Sequence, residues 1–105
     1  QTANMSATTT VIYEQNTKFN MDYYLKTHMP LVQEKWGPSG LKSWKVLQFP
    51  ADAPYTVQAT LEWGSMSDFK KATEDKAAMD AIMGDVSNFS NTNPKLMTGE
   101  VVGSK

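Results

Sequence analysis

Residues Tyr55–Trp63 alternate between apolar and polar side chains without a break over nine positions. Tyr, Val, Ala, Leu and Trp occupy the odd positions, and Thr, Gln, Thr and Glu occupy the even ones. Alternation with a period of two is typical of a β-strand that covers a core with one face only. An antiparallel sheet tolerates this arrangement, because its second face can meet water. The segment therefore predicts an antiparallel sheet with one apolar and one polar face.

The rest of the chain supplies elements for a layered domain around that strand. Runs rich in β-branched and aromatic residues predict three more strands, over residues 8–14, 41–49 and 95–102. Asn20 and Ser65 are good helix N-caps, and they predict one helix to about residue 35 and a second, continuous helix to about residue 83. The order strand, helix, strand, strand, helix, strand is that of a ferredoxin-like sandwich. We therefore expect an α+β domain of βαββαβ order, with a four-stranded antiparallel sheet and two helices on one of its faces.

Length and composition limit the classes of protein to consider. At 105 residues the chain suits one domain, which we place at residues 8–105 after a disordered or tag-derived segment at residues 1–7. Without cysteine there is no disulfide, thiolate metal site or thiol nucleophile, and a cytoplasmic location is the default expectation. A formal net charge of -1 does not suit a nucleic-acid partner. The apolar runs are far too short to span a membrane, so we expect no membrane partner either.

The polar face of the alternating strand leaves two interpretations open. It carries Thr56, Gln58, Thr60 and Glu62, and only the last of these is charged. Such a face is either solvated, as in many antiparallel sheets, or covered by the same face of a second subunit around a two-fold axis. The neighbouring predicted strand adds Trp44, whose side of the sheet is not fixed by the pattern.

His28 is the single histidine of the chain and its only side chain with an ordinary pKa near neutrality. It follows Tyr24 by one turn on the apolar face of the first predicted helix, two residues before Pro30. Proline inside a helix removes a hydrogen bond and bends the chain, so we expect a kink near His28. The alternatives are a buried histidine bonded to a backbone carbonyl, and a general base beside a tyrosine that binds an oxyanion. A metal site is not expected, because a lone histidine without cysteine lacks partner ligands.

Two short segments resemble a known family. The sequence YYLKTHMPL at residues 23–31, followed by GL at residues 40–41, resembles the YY…H.PL…GL signature of EthD-like proteins. The sequence DVSNFS at residues 85–90 resembles the D-[VI]-x-N-F-[ST] segment that these proteins carry before their last strand. The resemblance covers about residues 8–102, which is nearly the whole chain.

The resemblance implies the dimeric α/β-barrel superfamily, in which two ferredoxin-like subunits pack their open sheet faces together. A homodimer through this face is therefore expected. Related proteins act on small aromatic, lactone or polyketide-like molecules without a metal or organic cofactor. Tyr23 matches the motif, but its helical phase points it away from His28, so we do not expect it in a pocket. The residues carried over by the resemblance are Tyr24, His28, Pro30, Asn88 and Phe89.

We therefore expect a cofactor-independent catabolic or tailoring enzyme in which His28 moves a proton of a small hydrophobic or aromatic molecule and Tyr24 binds the oxyanion. The reaction is an isomerisation, a cyclisation, a lyase reaction or a cofactorless oxidation, and fold does not choose among them. The alternatives are a homodimer that binds a small hydrophobic ligand without catalysis, and a purely structural dimer. Asn88 is expected to orient the substrate. The predicted pocket is lined by Val11 or Tyr13, Met29, Trp63, Met79, Ile82 and Phe89.

Overall fold

A sheet of four antiparallel strands organises the chain. The computed structural model describes residues 5–105. Its strands are β1 (Ala7–Glu14), β2 (Leu41–Gln48), β3 (Tyr55–Trp63) and β4 (Lys95–Glu100). They lie in the order β2-β3-β1-β4, and every neighbouring pair is antiparallel. This is a ferredoxin-like sheet, so the predicted βαββαβ fold is confirmed.

The predicted disordered segment at residues 1–7 lies mostly outside the described residues. The described part of it joins the sheet, since β1 begins at Ala7 and that residue is fully buried. One residue earlier, the Ser6 carbonyl accepts the Val101 N–H at 2.8 Å. Backbone pairing between the first and last strands thus extends one residue beyond each of them, to Ser6 and Val101.

Two helical segments pack on one face of the sheet. The first consists of α1 (Met21–Tyr23), a π-helical turn (Tyr24–His28) and α2 (Met29–Trp36). The second consists of α3 (Met66–Glu74) and α4 (Lys76–Gly84). In residues 5–105, none of these helices has the length and apolar character that crossing a membrane requires.

The kink predicted near His28 takes the form of the π-helical turn. The Met29 N–H bonds the Tyr24 carbonyl, five residues back rather than four. Pro30 explains the wider turn, because it has no N–H to donate and its ring crowds the carbonyl of Lys26. Single π turns of this kind insert one extra residue into a helix. The residues before the turn therefore point in directions that a regular helix would not give them.

The second helical segment is two helices, not the one predicted. The break is at Asp75, whose backbone leaves the helical region with φ -77° and ψ 94°. Its carboxylate accepts the Ala78 N–H at 3.1 Å and so caps α4. A short polar side chain that satisfies a free backbone N–H favours a helix start. The periodicity of the segment does not show this break, because Ala72, Ala78 and Ile82 are buried on both sides of it.

The apolar face of the sheet meets the helices. Val57, Ala59, Leu61 and Trp63 of β3 are all buried in the core. The side of Trp44, which the sequence left open, is now fixed, since Trp44 pairs with Leu61 and packs against the same core. The opposite, open face carries the even residues of β3 and their partners on β1.

Candidate functional site

His28 lies at the end of the π turn, inside a cluster of aromatic rings. Only 5% of its surface is exposed. Its ring stacks on Tyr24 with 5.2 Å between centroids and an angle of 13°. Phe89 covers the ring from another element, with centroids 4.5 Å apart. These contacts fix the plane of the imidazole before any ligand arrives.

Asp85 holds the Nδ1 atom of His28. The distance from Nδ1 to Asp85 Oδ2 is 2.9 Å. Asp85 directly follows α4 and is 57 residues from His28 in the sequence. An ionised carboxylate only accepts hydrogen bonds, so Nδ1 carries the proton in the neutral imidazole. Nε2 then has a lone pair and is the nitrogen left to accept a proton.

The second oxygen of Asp85 receives two further donors. Tyr23 donates its hydroxyl to Oδ1 at 2.6 Å, and Asn88 donates its amide to the same atom at 2.9 Å. Burial alone would raise the pKa of Asp85, but the hydrogen bonds from Tyr23, Asn88 and His28 outweigh it and hold that pKa below its usual value. The carboxylate therefore stays ionised and continues to accept the hydrogen bond from His28 Nδ1.

Two opposing causes set the pKa of His28. Burial among the aromatic rings lowers it, because the charged form is poorly solvated there. The hydrogen bond and the negative charge of Asp85 raise it, but the pKa stays below its usual value. The imidazole is consequently neutral at neutral pH, which is the form that a general base requires.

A cavity of about 30 Å³ lies between the sheet and the helices, and His28 is part of its wall. The strands contribute apolar and aromatic side chains, and the helices contribute the only imidazole. The lining residues are Val11, Tyr13, Tyr24, His28, Met29, Val32, Trp36, Ala59, Leu61, Ile82, Met83, Val86, Pro94 and Leu96.

The two tyrosines of this wall keep their hydroxyl protons. Burial raises the pKa of Tyr24, and burial together with the neighbouring Tyr24 raises the pKa of Tyr13. Both phenols therefore stay protonated at any physiological pH. A base and two phenol donors in an apolar cavity can remove a proton from carbon and stabilise the oxyanion that results.

Comparisons with known proteins identify the fold. No protein-family model matches the sequence, and no curated protein matches it. Among solved structures, an EthD-like protein from Ralstonia eutropha is 24% identical, with a TM-score of 0.80 over 97% of this chain and 96% of that chain. An EthD family protein from Bacillus halodurans is 17% identical, with a TM-score of 0.68 over 93% of this chain and 99% of that one.

The chain has the fold of EthD-like proteins. The resemblance inferred from the YY…H.PL…GL motif is thereby confirmed at the level of the fold. The same fold occurs in SnoaB, a cofactor-independent oxygenase from Streptomyces nogalater. SnoaB is 8% identical, with a TM-score of 0.69 over 95% of this chain and 96% of that chain.

The EthD-like fold brings some of the predicted site residues together. Tyr24, His28, Met29 and Ile82 line the cavity. Phe89 lies against the His28 ring, and Asn88 reaches the site through Asp85 rather than through the cavity wall.

Two predicted pocket residues lie elsewhere. Trp63 is buried in the core and donates its Nε1–H to Thr9 Oγ1 at 2.9 Å. Met79 is half-buried against the core. Neither is among the described residues that line the cavity.

Asp85 and Tyr23 are the residues that the sequence reasoning missed. Asp85 is the first residue of the DVSNFS segment, and that resemblance was the only signal pointing to it. Tyr23 was expected to point away from His28, because the phase of a regular helix places it there. The π turn changes this phase, and the Tyr23 hydroxyl reaches the carboxylate that holds His28.

Proposed function

We propose that the protein is a cofactor-independent enzyme that moves a proton on a small aromatic, lactone or polyketide-like carbonyl compound. The observation that carries the proposal is the 2.9 Å hydrogen bond between Asp85 and His28, a residue of the cavity wall. This bond leaves Nε2 of a neutral imidazole as the proton acceptor. SnoaB has the same fold and is a cofactor-independent oxygenase, which supports this class of chemistry.

In the proposed step, His28 Nε2 takes a proton from the carbon next to the substrate carbonyl. The electron pair of the broken C–H bond moves onto the carbonyl oxygen and forms an enolate. Tyr24 donates its hydroxyl to that oxygen, which lowers the energy of the developing charge. Return of the proton to another carbon gives an isomer, and departure of a leaving group gives a lyase product. Asp85 stabilises the imidazolium that forms in between.

Such a ligand needs more room than the cavity of about 30 Å³, since pockets for ligands of this class hold roughly 300–1,000 Å³. Met83 and Leu96 are the two lining residues that are also exposed, by 37% and 42%. Unbranched methionine adapts readily to a bound molecule. We propose that these two side chains turn aside when a ligand enters between α4 and β4.

Isotope exchange tests the proposed base whichever overall reaction the protein catalyses. The probes are 2-tetralone, anthrone and α-angelica lactone in D₂O, each followed by NMR for loss of its acidic C–H signal. The wild-type protein is expected to accelerate exchange of at least one probe. Replacing the base by His28→Ala or His28→Gln is expected to slow that exchange by about 100-fold or more.

Thr27→Ala is the matched control, because Thr27 is the exposed neighbour of His28 on the same turn. Its exchange rate should equal that of the wild type. A His28→Ala protein that is folded and keeps the full rate would disprove the mechanism. Probe binding without any exchange in the wild type would support the non-catalytic binding protein instead.

We also propose that the protein forms a homodimer through the open face of the sheet. Thr10 and Thr60 pair at the centre of this face, and Thr60 also pairs with Lys45 of β2. Leu47 and Met97 lie on the same face, toward its two edges, and expose 41% and 59% of their surface. A second copy would remove both apolar side chains from water.

Sedimentation equilibrium tests the dimer. The wild type is expected at twice the chain mass of 11.7 kDa, and Thr60→Lys is expected at the single-chain mass, because it places a charge at the centre of the face. Leu25→Lys changes an exposed apolar residue of the helical layer and is the control. A wild-type protein that stays at the single-chain mass at tens of micromolar would contradict the proposal.

A further inference from the structure

Trp36 has a buried polar atom without a partner. Its side chain is almost fully removed from solvent, with a relative exposure of 3%. Within residues 5–105, its Nε1 is the one fully buried side-chain nitrogen or oxygen for which no hydrogen-bond partner is found. Buried donors are nearly always paired in folded proteins, so each exception requires an explanation.

Trp63 shows that the surroundings of Trp36 do not forbid pairing. The two indoles pack together with 5.5 Å between their centroids. The Trp63 N–H donates to Thr9 Oγ1 at 2.9 Å, whereas the Trp36 N–H has no such acceptor among the described residues. Trp63 lies outside the cavity, and Trp36 lines it. The unpaired donor therefore belongs to the indole that forms part of the cavity wall.

The position of Trp36 relative to His28 suggests a role for the unpaired indole N–H. Both residues line the cavity, and Trp36 lies eight positions later, at the end of α2. A helical rise of 1.5 Å per residue separates them by roughly 12 Å along the axis. His28 and Trp36 thus form different parts of the cavity wall along the first helical segment, with Met29 and Val32 between them in the sequence.

We infer that Trp36 is a ligand-binding residue whose indole N–H donates to an oxygen of the ligand remote from the carbon that His28 deprotonates. This inference rests on the proposed function for the identity of the ligand. It narrows that ligand to a fused-ring carbonyl compound with a second oxygen at its far end. The N–H is already unpaired in the ligand-free protein, so a ligand with this oxygen gains a hydrogen bond that a ligand without it cannot make, and this gives selectivity.

A pair of probes measures the contribution of the N–H. The pair is 6-hydroxy-2-tetralone and 2-tetralone, which differ only in the remote oxygen. Wild-type protein is expected to bind the hydroxylated probe about 3- to 10-fold more tightly. Trp36→Phe keeps an aromatic ring but lacks the N–H, and it should bind both probes equally. Trp44→Phe is the control, because Trp44 does not line the cavity, and it should keep the preference.

NMR of the indole N–H groups gives a readout that does not depend on turnover. The hydroxylated probe is expected to move the Trp36 signal and to leave that of Trp63, which is already paired, in place. A Trp36 signal that neither probe moves would overturn the inference. Loss of exchange activity in every probe, with the Trp36 signal still moving, would refute the proposed reaction and leave this binding role intact.

Stability in the absence of ligand provides the second test. Trp63→Phe removes a paired N–H and leaves Thr9 without its donor, whereas Trp36→Phe removes an unpaired one. The thermal midpoint is therefore expected to fall less for Trp36→Phe than for Trp63→Phe. Equal losses would mean that the Trp36 N–H is already paired inside the ligand-free protein, and the inference would then be wrong.

Discussion

Two buried polar clusters join distant parts of the chain, and they differ in whether all their polar atoms are paired. In the first, Trp63 donates to Thr9 at 2.9 Å and Thr9 shares a 2.7 Å hydrogen bond with Thr98. In the second, His28 is bonded to Asp85 through Nδ1 only. The threonine cluster ties three strands together inside the core. The histidine cluster joins the first helical segment to the end of α4 and leaves Nε2 of His28 without a bond to Asp85.

Burial follows the same division. Thr9 and Trp63 each expose 1% of their surface, so water has no access to the bonds between them. The Asp85 side chain is 11% exposed, and Asn88, which bonds it, is exposed. A buried polar group with all of its bonds made adds stability, whereas one with a bond left unmade beside a cavity is available for chemistry.

Replacing the carboxylate in the histidine cluster should give the largest difference between the two clusters, because it is expected to slow exchange as well as to lower stability. Tyr23, His28 and Asn88 now share the two carboxylate oxygens of Asp85. Asp85→Asn replaces one of these oxygens by an NH₂ group and leaves a single acceptor oxygen for the three donors. The imidazole then loses its fixed tautomer, and exchange of the responsive probe is expected to slow by about 10- to 100-fold. Unfolding in urea should also show a loss of about 1–3 kcal/mol, because a donor is left unpaired in a mostly buried site.

Thr9→Val makes the corresponding change in the threonine cluster. It removes the acceptor of the Trp63 N–H and should also cost about 1–3 kcal/mol of unfolding free energy. Its exchange rate per folded molecule should stay at the wild-type value. If Thr9→Val slowed exchange as much as Asp85→Asn does, the two clusters would not have separate roles.

The sheet was predictable because its pattern is local. The alternation over Tyr55–Trp63 gave both ends of β3 correctly, since each residue reports its own face. Asn20 likewise caps the first helical segment as predicted. The break at Asp75 was not predictable from periodicity, because its cap competes with helix continuation through one side chain.

The site was only half predictable, because it depends on contacts across the chain. The stacking of His28 on Tyr24 follows from helical spacing. The bond to Asp85 spans 57 residues, and no local pattern specifies such a pair. Tyr23 was not expected in the pocket, and it is not among the described residues that line the cavity. Its bond to Asp85 was not foreseen, because the π turn that follows Tyr23 changes the phase of the helix.

Lowering the pH should reduce the free energy of unfolding through the histidine cluster, by less than the substitutions above. The unfolded chain binds a proton on His28 below its usual pKa of 6.5, whereas burial lowers the pKa in the folded protein. Unfolding therefore takes up a proton in this range, and the free energy of unfolding falls as the pH drops below about 6.5. Asp85, whose pKa is also lowered, adds a further loss of the same sign once the pH nears its usual value of 3.8.

Urea unfolding between pH 7 and pH 4 measures this dependence, and His28→Gln provides the control because it removes the only histidine. The variant is expected to lose the upper part of the pH dependence and to keep the part due to carboxylates. The Cε1–H signal of His28 gives its pKa directly by NMR, without overlap from other histidines. A value at or above 6.5 would show that the charge of Asp85 outweighs burial, and His28 would then be partly protonated at neutral pH and a poorer base.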